Sequence, residues 1–478
     1  MENIKPYNKY KPSLIDGLGD IPEHWERWKL NRVLFFQEGP GLRTWQFKDS
    51  GVKVICVTNI TPPIISFAKM TKYISVEEYE EKYKHFTVEK GNILLASSGA
   101  TWGKVSTYND DEKVILNTST IRLNTKKNEM LSNSIVKHLL NANYVNTQLQ
   151  NLLTGSCQPN FGPTHLNKLY VALPPLEEQT IIENFLDYKL AKIDRFIRKK
   201  KQLIKLLNEQ KTGIINYAVT KGLDPKANLK PSGIEWLGEI PEHWEVRKLK
   251  YLVSKTGSGV TPKGGSEVYK DEGIPFLRSQ NIHFDGLKID NVAFISNEVH
   301  STMSNTALMV GDVLLNITGA SIGRCCFVPN DFKEGNVNQH VCIIRPKNLI
   351  LTKYLTSILS SSYLQDLIQF EQVGASREAL NQDEIKNLPI ILPTILEQEK
   401  IVSYIEKETS IINKTISNIR REIALTQEYR TVLIAEAVTG KIDVRSYVIP
   451  ALEEEILYEE LEEELDMVVE EGEEIEID

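Results

Sequence analysis

The sequence predicts an α+β protein in which two mixed α/β globular halves are separated by two long helices. Three observations predict this fold: a duplication of most of the chain, a very long helical pattern at the end of each copy, and short apolar runs that lead into glycine-bearing turns. The length of 478 residues suits roughly three domains of typical size.

The duplication is the most informative feature of the sequence. Residues 11–30 and 230–249 are identical at 14 of 20 positions, at an offset of 219. Chance would give about one identity in such a stretch, from ordinary residue frequencies. The copies differ most between residues 31–90 and 250–310. A shared frame with divergent interiors favours one architecture that recognises two different things. A duplicated structural domain that has drifted is the alternative.

Each copy ends in a pattern that predicts a long helix. Apolar residues recur with an average period of 3.5 over about five heptads, and a proline precedes each pattern. We predict helices at 176–224 and 393–445, with globular halves at 1–175 and 225–392. Because helices in globular proteins average only ~11–12 residues, two helices that pack on each other as a rod are favoured over helices that each cover their own half.

Inside each copy, apolar runs typical of buried strands end in polar loops. The runs at 52–60 and 92–98 have counterparts at 274–282 and 312–318. Glycine-bearing turns follow at 98–104 and 318–324, where glycine lets the backbone approach a ligand closely. Ser, Thr and backbone N–H groups in such turns can bind phosphate oxygens, and Lys or Arg adds positive charge.

The polar residues of these loops are candidate DNA-binding residues. Arg and Lys suit guanine edges, and Asn and Gln suit adenine edges. A turn or capping role is the competing interpretation at each position. The candidates in the first copy are Asn59, Ser98, Thr101, Lys104, Asn117, Gln158 and Asn160, and those in the second copy are Arg278, Gln280, Asn281, Thr318, Ser321, Arg324, Asn338, Gln339, His340 and Arg377.

The repeated sequence Pro-Glu-His-Trp-Glu predicts a structural role. We interpret Trp25 and Trp244 as core anchors rather than as residues that stack on a ligand. His24 and His243 are also interpreted as structural, because no second histidine or cysteine lies at metal-ligand spacing.

The net charge of −8 is unevenly distributed. Residues 446–478 carry 15 Asp and Glu and no Lys or Arg, so residues 1–445 carry +7. A mildly basic body permits DNA binding. The acidic C-terminal tail has apolar residues at the spacing of an amphipathic helix. It is either a solubilising, partly disordered tail or a segment that docks on a basic partner surface or competes with DNA.

Composition and absent motifs favour a cytoplasmic binding protein. The five cysteines form no Cys-x-x-Cys pair, and no apolar run reaches the ~18 residues of a membrane span. The N-terminus has no apolar signal core. The sequence also contains no P-loop, His-Glu-x-x-His, Gly-x-Ser-x-Gly or complete Gly-x-Gly-x-x-Gly motif, and no Asn-Pro-Pro-aromatic motif of adenine methyltransferases.

Taken together, these motifs resemble the specificity subunits of type I restriction-modification enzymes. The resemblance covers about residues 11–445. It is carried by the duplicated Ile-Pro-Glu-His-Trp-Glu, by Thr-Pro-Lys-Gly-Gly followed by Gly-Ile-Pro-Phe-Leu-Arg-Ser-Gln-Asn-Ile within 257–282, by the two glycine turns, and by the Leu-Pro and Glu-Gln pairs before each long helix.

This resemblance implies a fold and a set of partners. It implies two mixed α/β target-recognition domains, each reading half of a bipartite double-stranded DNA site, separated by two long helices that pair as an antiparallel coiled coil. It implies two methyltransferase (M) subunits and restriction (R) subunits as partners. S-adenosylmethionine, ATP and magnesium are expected on those partners, with no cofactor and no metal in this chain. Residues 31–90 and 250–310 are expected to carry much of the difference between half-sites.

Two other functions remain open from the sequence. The chain could be the specificity partner of a Type IIB/IIG-like methyltransferase-nuclease, which has the same fold. It could also be a two-headed coiled-coil scaffold that binds no DNA, which predicts no salt-sensitive DNA affinity. An enzyme that acts alone is the weakest alternative.

Overall fold

In the computed structural model, the described residues are 5–62, 64–68, 70–99, 102–126, 130–153, 160–234, 236–370 and 379–450. The chain divides into two compact units of mixed helix and sheet. Unit 1 comprises residues 1–199 with 422–478, and unit 2 comprises residues 200–421. Each unit therefore contains one globular half of the sequence, part of the first long helix and part of the second.

Unit 1 is built on a six-stranded sheet and a four-stranded sheet. In spatial order, the six-stranded sheet contains Leu34–Glu38, Thr120–Thr125, Ile93–Ala96, Val105–Thr107, Ile64–Ile65 and Ile60–Thr61. The four-stranded sheet contains Lys72–Ile74, Val52–Ile55, Val114–Leu116 and Thr87–Val88. Two strand pairs are Tyr10–Pro12 with Asp20–Pro22 and Glu26–Lys29 with Tyr170–Leu173. The α-helices are Leu30–Val33, Val76–Glu78, Asn133–Leu140, Asn143–Leu152, Pro163–Leu166 and the start of Leu176–Lys221.

Unit 2 repeats this plan with smaller sheets. Its four-stranded sheet contains, in order, Val253–Ser258, Val341–Pro346, Val313–Asn316 and Cys325–Phe327. A three-stranded sheet contains Ala293–Ile295, Ile274–Leu277 and Asn336–Val337. The strand pairs are Leu229–Pro231 with Glu239–Pro241, Glu245–Lys248 with Pro389–Leu392, and Ile282–His283 with Gly286–Leu287. The α-helices are Leu249–Leu252, Asn297–Thr302, Thr352–Leu359, Ser362–Phe370, Gln382–Asn387 and most of Ile395–Val438.

The sequence duplication corresponds to a duplicated main sheet. The central strands Ile93–Ala96 and Val313–Asn316 are fully buried and each pairs antiparallel on both sides. Continuous apolar runs of this kind suit a strand that is covered on both faces. The predicted strands at 92–98 and 312–318 are confirmed, and the turns that follow them lie at the same end of the main sheet in each unit.

The divergent regions form much of a second sheet with its own small core in each unit. In unit 1, Val52–Ile55 pairs in parallel with Val114–Leu116, and this sheet has apolar clusters separate from the main core. In unit 2, Ile274–Leu277 pairs in parallel with Asn336–Val337, with a similarly separate cluster around Phe276. The sequence variation between the copies is therefore concentrated in a subdomain beside the main sheet.

The two long helices contain 46 and 44 residues, which corresponds to roughly 66–69 Å at 1.5 Å per residue. Each ends just before a glycine in the left-handed region, Gly222 with φ +76° and Gly440 with φ +70°. Within unit 1, Ile193 of the first helix and Leu433 of the second belong to the same core. Each unit thus contains a stretch of both helices.

In unit 1, the repeated tryptophan connects the N-terminal segment to the start of the first long helix. Trp25 is fully buried, and its Nε1 donates to Oε1 of Glu178 at 2.9 Å. The hydroxyl of Tyr7 donates to the same oxygen at 2.6 Å, and Nε2 of His24 lies 2.7 Å from Oε2. The interpretation of Trp25 as a core anchor and of His24 as structural is confirmed.

Unit 2 repeats this arrangement at the start of the second long helix. Trp244 Nε1 donates to Glu397 Oε1 at 3.3 Å, and His243 Nε2 lies 2.6 Å from the same oxygen. Burial by itself raises the pKa of Glu397, but hydrogen bonds from His243, Thr394 and Trp244 outweigh it and lower the pKa to about 2. The carboxylate is therefore charged at neutral pH, because the hydrogen bonds donated to it stabilise the anion.

The glutamine after each of these glutamates binds backbone groups. Gln179 Nε2 donates to the carbonyls of Met130 at 2.8 Å and Pro174 at 2.9 Å. Gln398 does the same with Leu349 and Pro393, at 3.1 and 3.0 Å. The repeated Glu-Gln pair therefore fixes the start of each long helix to the globular part of its own unit.

Among the residues that the structure describes, no helix is both long and apolar enough to cross a lipid bilayer.

Candidate nucleic-acid interface

In unit 2, three loops meet at one end of the main sheet. The first loop follows the strand at 253–258, the second follows the strand at 313–316, and the third precedes the strand at 341–346. Backbone hydrogen bonds join them: Val260 N donates to Val337 O at 3.2 Å, and Ile317 N donates to His340 O at 3.0 Å. The first loop approaches so closely that a Cβ on Gly259 would lie within 3.0 Å of backbone carbonyl oxygens. Two of the segments with predicted candidates, 318–324 and 338–340, are thus neighbours of the loop that contains Gly259.

A chain of polar side chains crosses these loops. Thr261 donates to Oε1 of Gln339, and Gln339 Nε2 lies 3.1 Å from Nε2 of His340. Because an amide nitrogen only donates, Nε2 of a neutral His340 accepts and its Nδ1 carries the proton. Nδ1 then donates to Oγ1 of Thr318, 2.6 Å away. The hydroxyl hydrogen of Thr318 remains available to a phosphate or base acceptor.

The glycine turn of unit 2 is tied to the loop that follows the divergent strand. Asn316 is fully buried, and its Nδ2 donates to Ser321 Oγ at 3.0 Å and to Ser279 O at 2.9 Å. Ser279 adjoins two candidates: Gln280, which is exposed, and Arg278, which is half-buried. Asn316 thereby connects this loop to the glycine turn at 318–324.

Further candidates of unit 2 differ in what they can reach. Arg278 is 6.0 Å from the Tyr269 ring and donates to Asn291 O at 3.4 Å, which leaves most of its guanidinium donors for other partners. Arg324, in the glycine turn, is half-buried. Asn338 is buried, and its Oδ1 accepts from His340 N at 3.2 Å, so this side chain shapes the loop.

Two candidates have a structural role that their burial explains. Asn59 is buried, and its amide accepts from Cys56 N at 2.8 Å and donates to the carbonyls of Ser66 and Met70 at 2.9 and 2.8 Å. Asn281 is also buried and bonds the backbone of its own loop. Asn59 has both amide hydrogens engaged, and the buried amide of Asn281 bonds backbone groups on both sides of its loop, so the turn interpretation applies to both.

Unit 1 has the same three-loop arrangement with different side chains. Ser97 N donates to Ser119 O at 2.9 Å, and Thr118 N donates to Pro40 O at 3.1 Å. The Thr118 hydroxyl also donates to Pro40 O, at 3.0 Å. In this position unit 2 has Gln339 opposite Thr261. The frame is thus conserved between the units, while the polar groups that it presents are not.

The other candidates of unit 1 surround these loops. Ser98 is half-buried and pairs through its backbone with the exposed Asn160. Lys104 is exposed at the end of the glycine turn. Asn117 is half-buried, and its Nδ2 lies 3.7 Å from Cys56 Sγ. Three candidates lie outside the described residues: Thr101, Gln158 and Arg377.

Sequence reasoning missed Thr261 and Asn316. Thr261 lies in the Thr-Pro-Lys-Gly-Gly stretch that carried the family resemblance, and its place in this conspicuous motif was the available signal. Asn316 lies within an apolar run, where a polar residue in a buried strand marks a hydrogen-bonding requirement.

The cysteines of unit 2 are structural. Burial raises the pKa of the Cys342 thiol to about 11 and that of Cys326 to about 12, so both stay protonated at neutral pH. Within the described ranges, no group of three or more His, Cys, Asp or Glu is placed to hold a metal ion.

Comparison with known proteins places this geometry in a family. A family model for the type I restriction modification DNA specificity domain matches residues 22–206 and 241–424, more than half of the chain. The chain belongs to this family.

Relatives of the specificity family match along most of this chain. The putative type I restriction enzyme MjaX specificity subunit of Methanocaldococcus jannaschii is 27% identical over 90% of this chain and 96% of its own length. The MjaVIII specificity subunit of the same organism is 24% identical, over 89% and 95%. The resemblance that was inferred from motifs is therefore confirmed, as is the prediction of a non-catalytic specificity subunit with two recognition domains.

A solved structure shares the fold of this specificity-family chain. A chain from a study of complex assembly and conformational transition in the type I R-M system aligns with a TM-score of 0.57 at 16% identity. The alignment covers 88% of this chain and 99% of that one. It supports the mixed helix and sheet architecture.

Proposed function

We propose that the chain is the DNA-specificity subunit of a type I restriction-modification system and that units 1 and 2 each read one half of a bipartite target. One observation carries this proposal: the same three-loop frame occurs in both units, with different polar side chains at its rim. At the equivalent contact between loops, Thr118 donates to the carbonyl of Pro40 in unit 1, whereas Gln339 accepts from Thr261 in unit 2. Base-edge recognition requires this combination of a fixed frame and variable polar groups.

The long helices serve in this proposal as an antiparallel coiled coil that sets the distance between half-sites. Unit 1 contains residues 176–199 of the first helix and 422–438 of the second, while unit 2 contains the remainder of both. In unit 1, Arg430 lies 3.4 Å from Asp194, and in unit 2 Lys211 lies 3.0 Å from Asn413. These contacts support antiparallel pairing. A rigid spacer keeps two half-sites in helical phase.

We assign the chemistry of the complex to partner subunits. Two methyltransferase subunits and the restriction subunits would supply S-adenosylmethionine, ATP and magnesium, and this chain would bring no cofactor. We also propose a cytoplasmic location. The described cysteines Cys56, Cys325, Cys326 and Cys342 are free, which suits a reducing compartment.

DNA affinity measured with a single-hydroxyl variant tests this function. In complex with its methyltransferase partner, the chain should bind target DNA with an affinity that falls steeply with salt. Thr318→Val should weaken binding to the target by about 5- to 150-fold, the range for one lost base-edge contact of ~1–3 kcal/mol, and should leave non-specific binding nearly unchanged.

The matched control is Thr415→Val, on the second long helix, whose hydroxyl bonds only the helix carbonyl of Ile411 among the described contacts, at 2.9 Å. It should bind target DNA as the native chain does. DNA binding without salt dependence, or equal losses in both variants, would contradict the proposed function.

A further inference from the structure

The first long helix has a strongly basic segment, residues 188–199. It carries Lys189, Lys192, Arg195, Arg198 and Lys199 against the single acid Asp194. Asp194 also lies 3.4 Å from Arg430 of the second long helix, so its charge is shared with a cation outside this segment. Lys192, Arg195 and Lys199 follow one another at intervals of three and four residues, so they share one face of the helix.

The same face of the helix also carries an aromatic side chain, which a basic surface that contacts only water does not need. Phe196 is 41% exposed, next to Arg195 in the sequence and on the turn between Lys192 and Lys199. A surface that combines cations with an exposed apolar ring suits an occupant that combines carboxylates with apolar side chains.

The C-terminal part of the chain packs beside the basic segment shortly before the acidic residues begin. The Tyr447 ring packs 4.9 Å from Phe185 and 6.3 Å from Tyr188, and the Lys189 ammonium lies 4.6 Å from the Tyr447 ring centroid. Residue 447 is thus held at the N-terminal end of the basic segment. Residue 451 follows four positions later, a reach of up to roughly 13–14 Å when extended.

The sequence that follows matches the basic segment in charge, pattern and length. Residues 451–478 contain 15 acidic residues and no basic ones. Leu457, Leu461, Leu465 and Val468 recur at the spacing of one helical face. A helix from 457 to 468 would be roughly 17 Å long, which is also the length of the basic segment at the same rise per residue.

We propose that the acidic segment 451–478 binds the basic segment 188–199 of its own chain. The tether of four residues raises the effective concentration of the acidic segment to the millimolar range. Single exposed ion pairs contribute little, but several carboxylates facing five cations act together. Its apolar residues cover Phe196 in the same arrangement.

Docking of this kind would withhold five cations from other polyanions. The consequence for DNA, a weaker attraction for sites other than the target, rests on the proposed function. The docking itself does not depend on that function, and it is tested without DNA.

Hydrogen exchange of the full-length chain, followed by mass spectrometry, tests the docking. At 50 mM salt, amides of residues 452–469 should exchange more slowly than those of a free synthetic peptide of residues 451–478, and 500 mM salt should remove the difference, because screening shortens the range of the attraction. In the triple variant Lys192→Glu, Arg195→Glu and Lys199→Glu, the protection of residues 452–469 against exchange should fall roughly tenfold. Each exposed ion pair contributes a factor of about 1.4 to 5.

Three controls separate docking from misfolding. The charge-preserving variant Lys192→Arg, Arg195→Lys and Lys199→Arg should keep the protection of 452–469. Charge reversal on the second long helix, at Lys407 and Lys414, should also keep it. Combining the triple reversal with Glu459→Lys, Glu462→Lys and Glu463→Lys should restore it.

Carbodiimide cross-linking of the native chain identifies the surface that is occupied. Links should join glutamates of 451–478 to Lys189, Lys192 or Lys199 within one chain. An acidic segment that exchanges like the free peptide in the native chain would overturn the proposal. So would protection that survives the triple reversal, or cross-links that go only to lysines elsewhere or to a second copy of the chain.

Discussion

A single methyl group at Gly259 should disturb the three-loop site of unit 2 from within. A Cβ at this position would lie within 3.0 Å of backbone carbonyl oxygens of Val337 and Asn338. Neither oxygen can turn away as a flexible side chain would, so the two loops must separate by roughly 1.4 Å to reach ordinary contact distance. The substitution Gly259→Ala therefore acts on the geometry of the site and removes no functional group.

The expected size of the effect follows from the contacts at risk. The backbone bond from Gly259 N to Val341 O is 2.9 Å long, and that from Val260 N to Val337 O is 3.2 Å. Weakening both, together with the overpacking, should destabilise unit 2 by about 2–3 kcal/mol. For a unit of this size, that corresponds to a fall in Tm of about 4–12 °C.

Calorimetry and methylation assays test this prediction, with the substitution of a nearby glycine as the control. Gly257→Ala, two residues earlier and within the strand Val253–Ser258, places its Cβ where no heavy atom lies within 4 Å, so it should be neutral or stabilise by up to about 1 kcal/mol. Gly259→Ala should also reduce methylation through the unit 2 half-site. If both variants unfold at the same temperature, the loops do not approach each other as closely at Gly259 as the structure shows.

Other predictions address the remaining contacts of unit 2. The pKa of Glu397 is lowered to about 2 in the folded chain, below the ~4.3 of an unfolded glutamate. Its stabilisation is therefore complete above about pH 4.3 and is lost as the pH falls toward 2; urea unfolding of Glu397→Gln should show a weaker loss of stability between pH 5 and pH 2.5 than the native chain shows. Asn281→Ala should destabilise by about 1–3 kcal/mol because it leaves backbone groups without partners, whereas the exposed Gln280→Ala should change stability by less than about 0.5 kcal/mol but alter the preferred half-site in methylation mapping. Gln398→Leu should destabilise by about 1–3 kcal/mol in calorimetry, since Leu351 N, which donates to Gln398 at 2.8 Å, loses its acceptor.

The sequence was informative where a pattern extends over many residues. The period of 3.5 predicted both long helices, and the seam residues Ile182 and Ile193 of the first and Ile405 of the second are buried. The tryptophan repeat predicted two core anchors because a large aromatic side chain contributes much of the area that a core buries. These features depend on local periodicity or on repetition, both of which one sequence displays.

The second sheet of each unit could not be predicted in the same way. Its strands contain only two to four residues, and Val52–Ile55 pairs with Val114–Leu116, about sixty positions further along the chain. Pairings between such distant, short segments leave no periodic signal. The sequence therefore located the divergent regions but not the sheet that they form.

Individual site residues were also beyond sequence reasoning. Asn59 and Gln280 are both amides next to a buried strand, yet one is saturated by backbone bonds and the other is exposed. The same chemical groups that read a base also brace a turn, so residue type alone does not separate the two roles. Only the position of neighbouring backbone groups decides between them.

Methylation mapping with an exchanged recognition unit tests the central claim most directly. The chain would be co-expressed with its partner methyltransferase, and modified bases would be located in the host DNA. The account predicts a bipartite motif with a fixed gap, of which one half changes when residues 31–172 are replaced by those of another specificity subunit, while the other half and the gap stay the same. A motif that is unaltered by the exchange, or methylation that appears without this chain, would contradict the account.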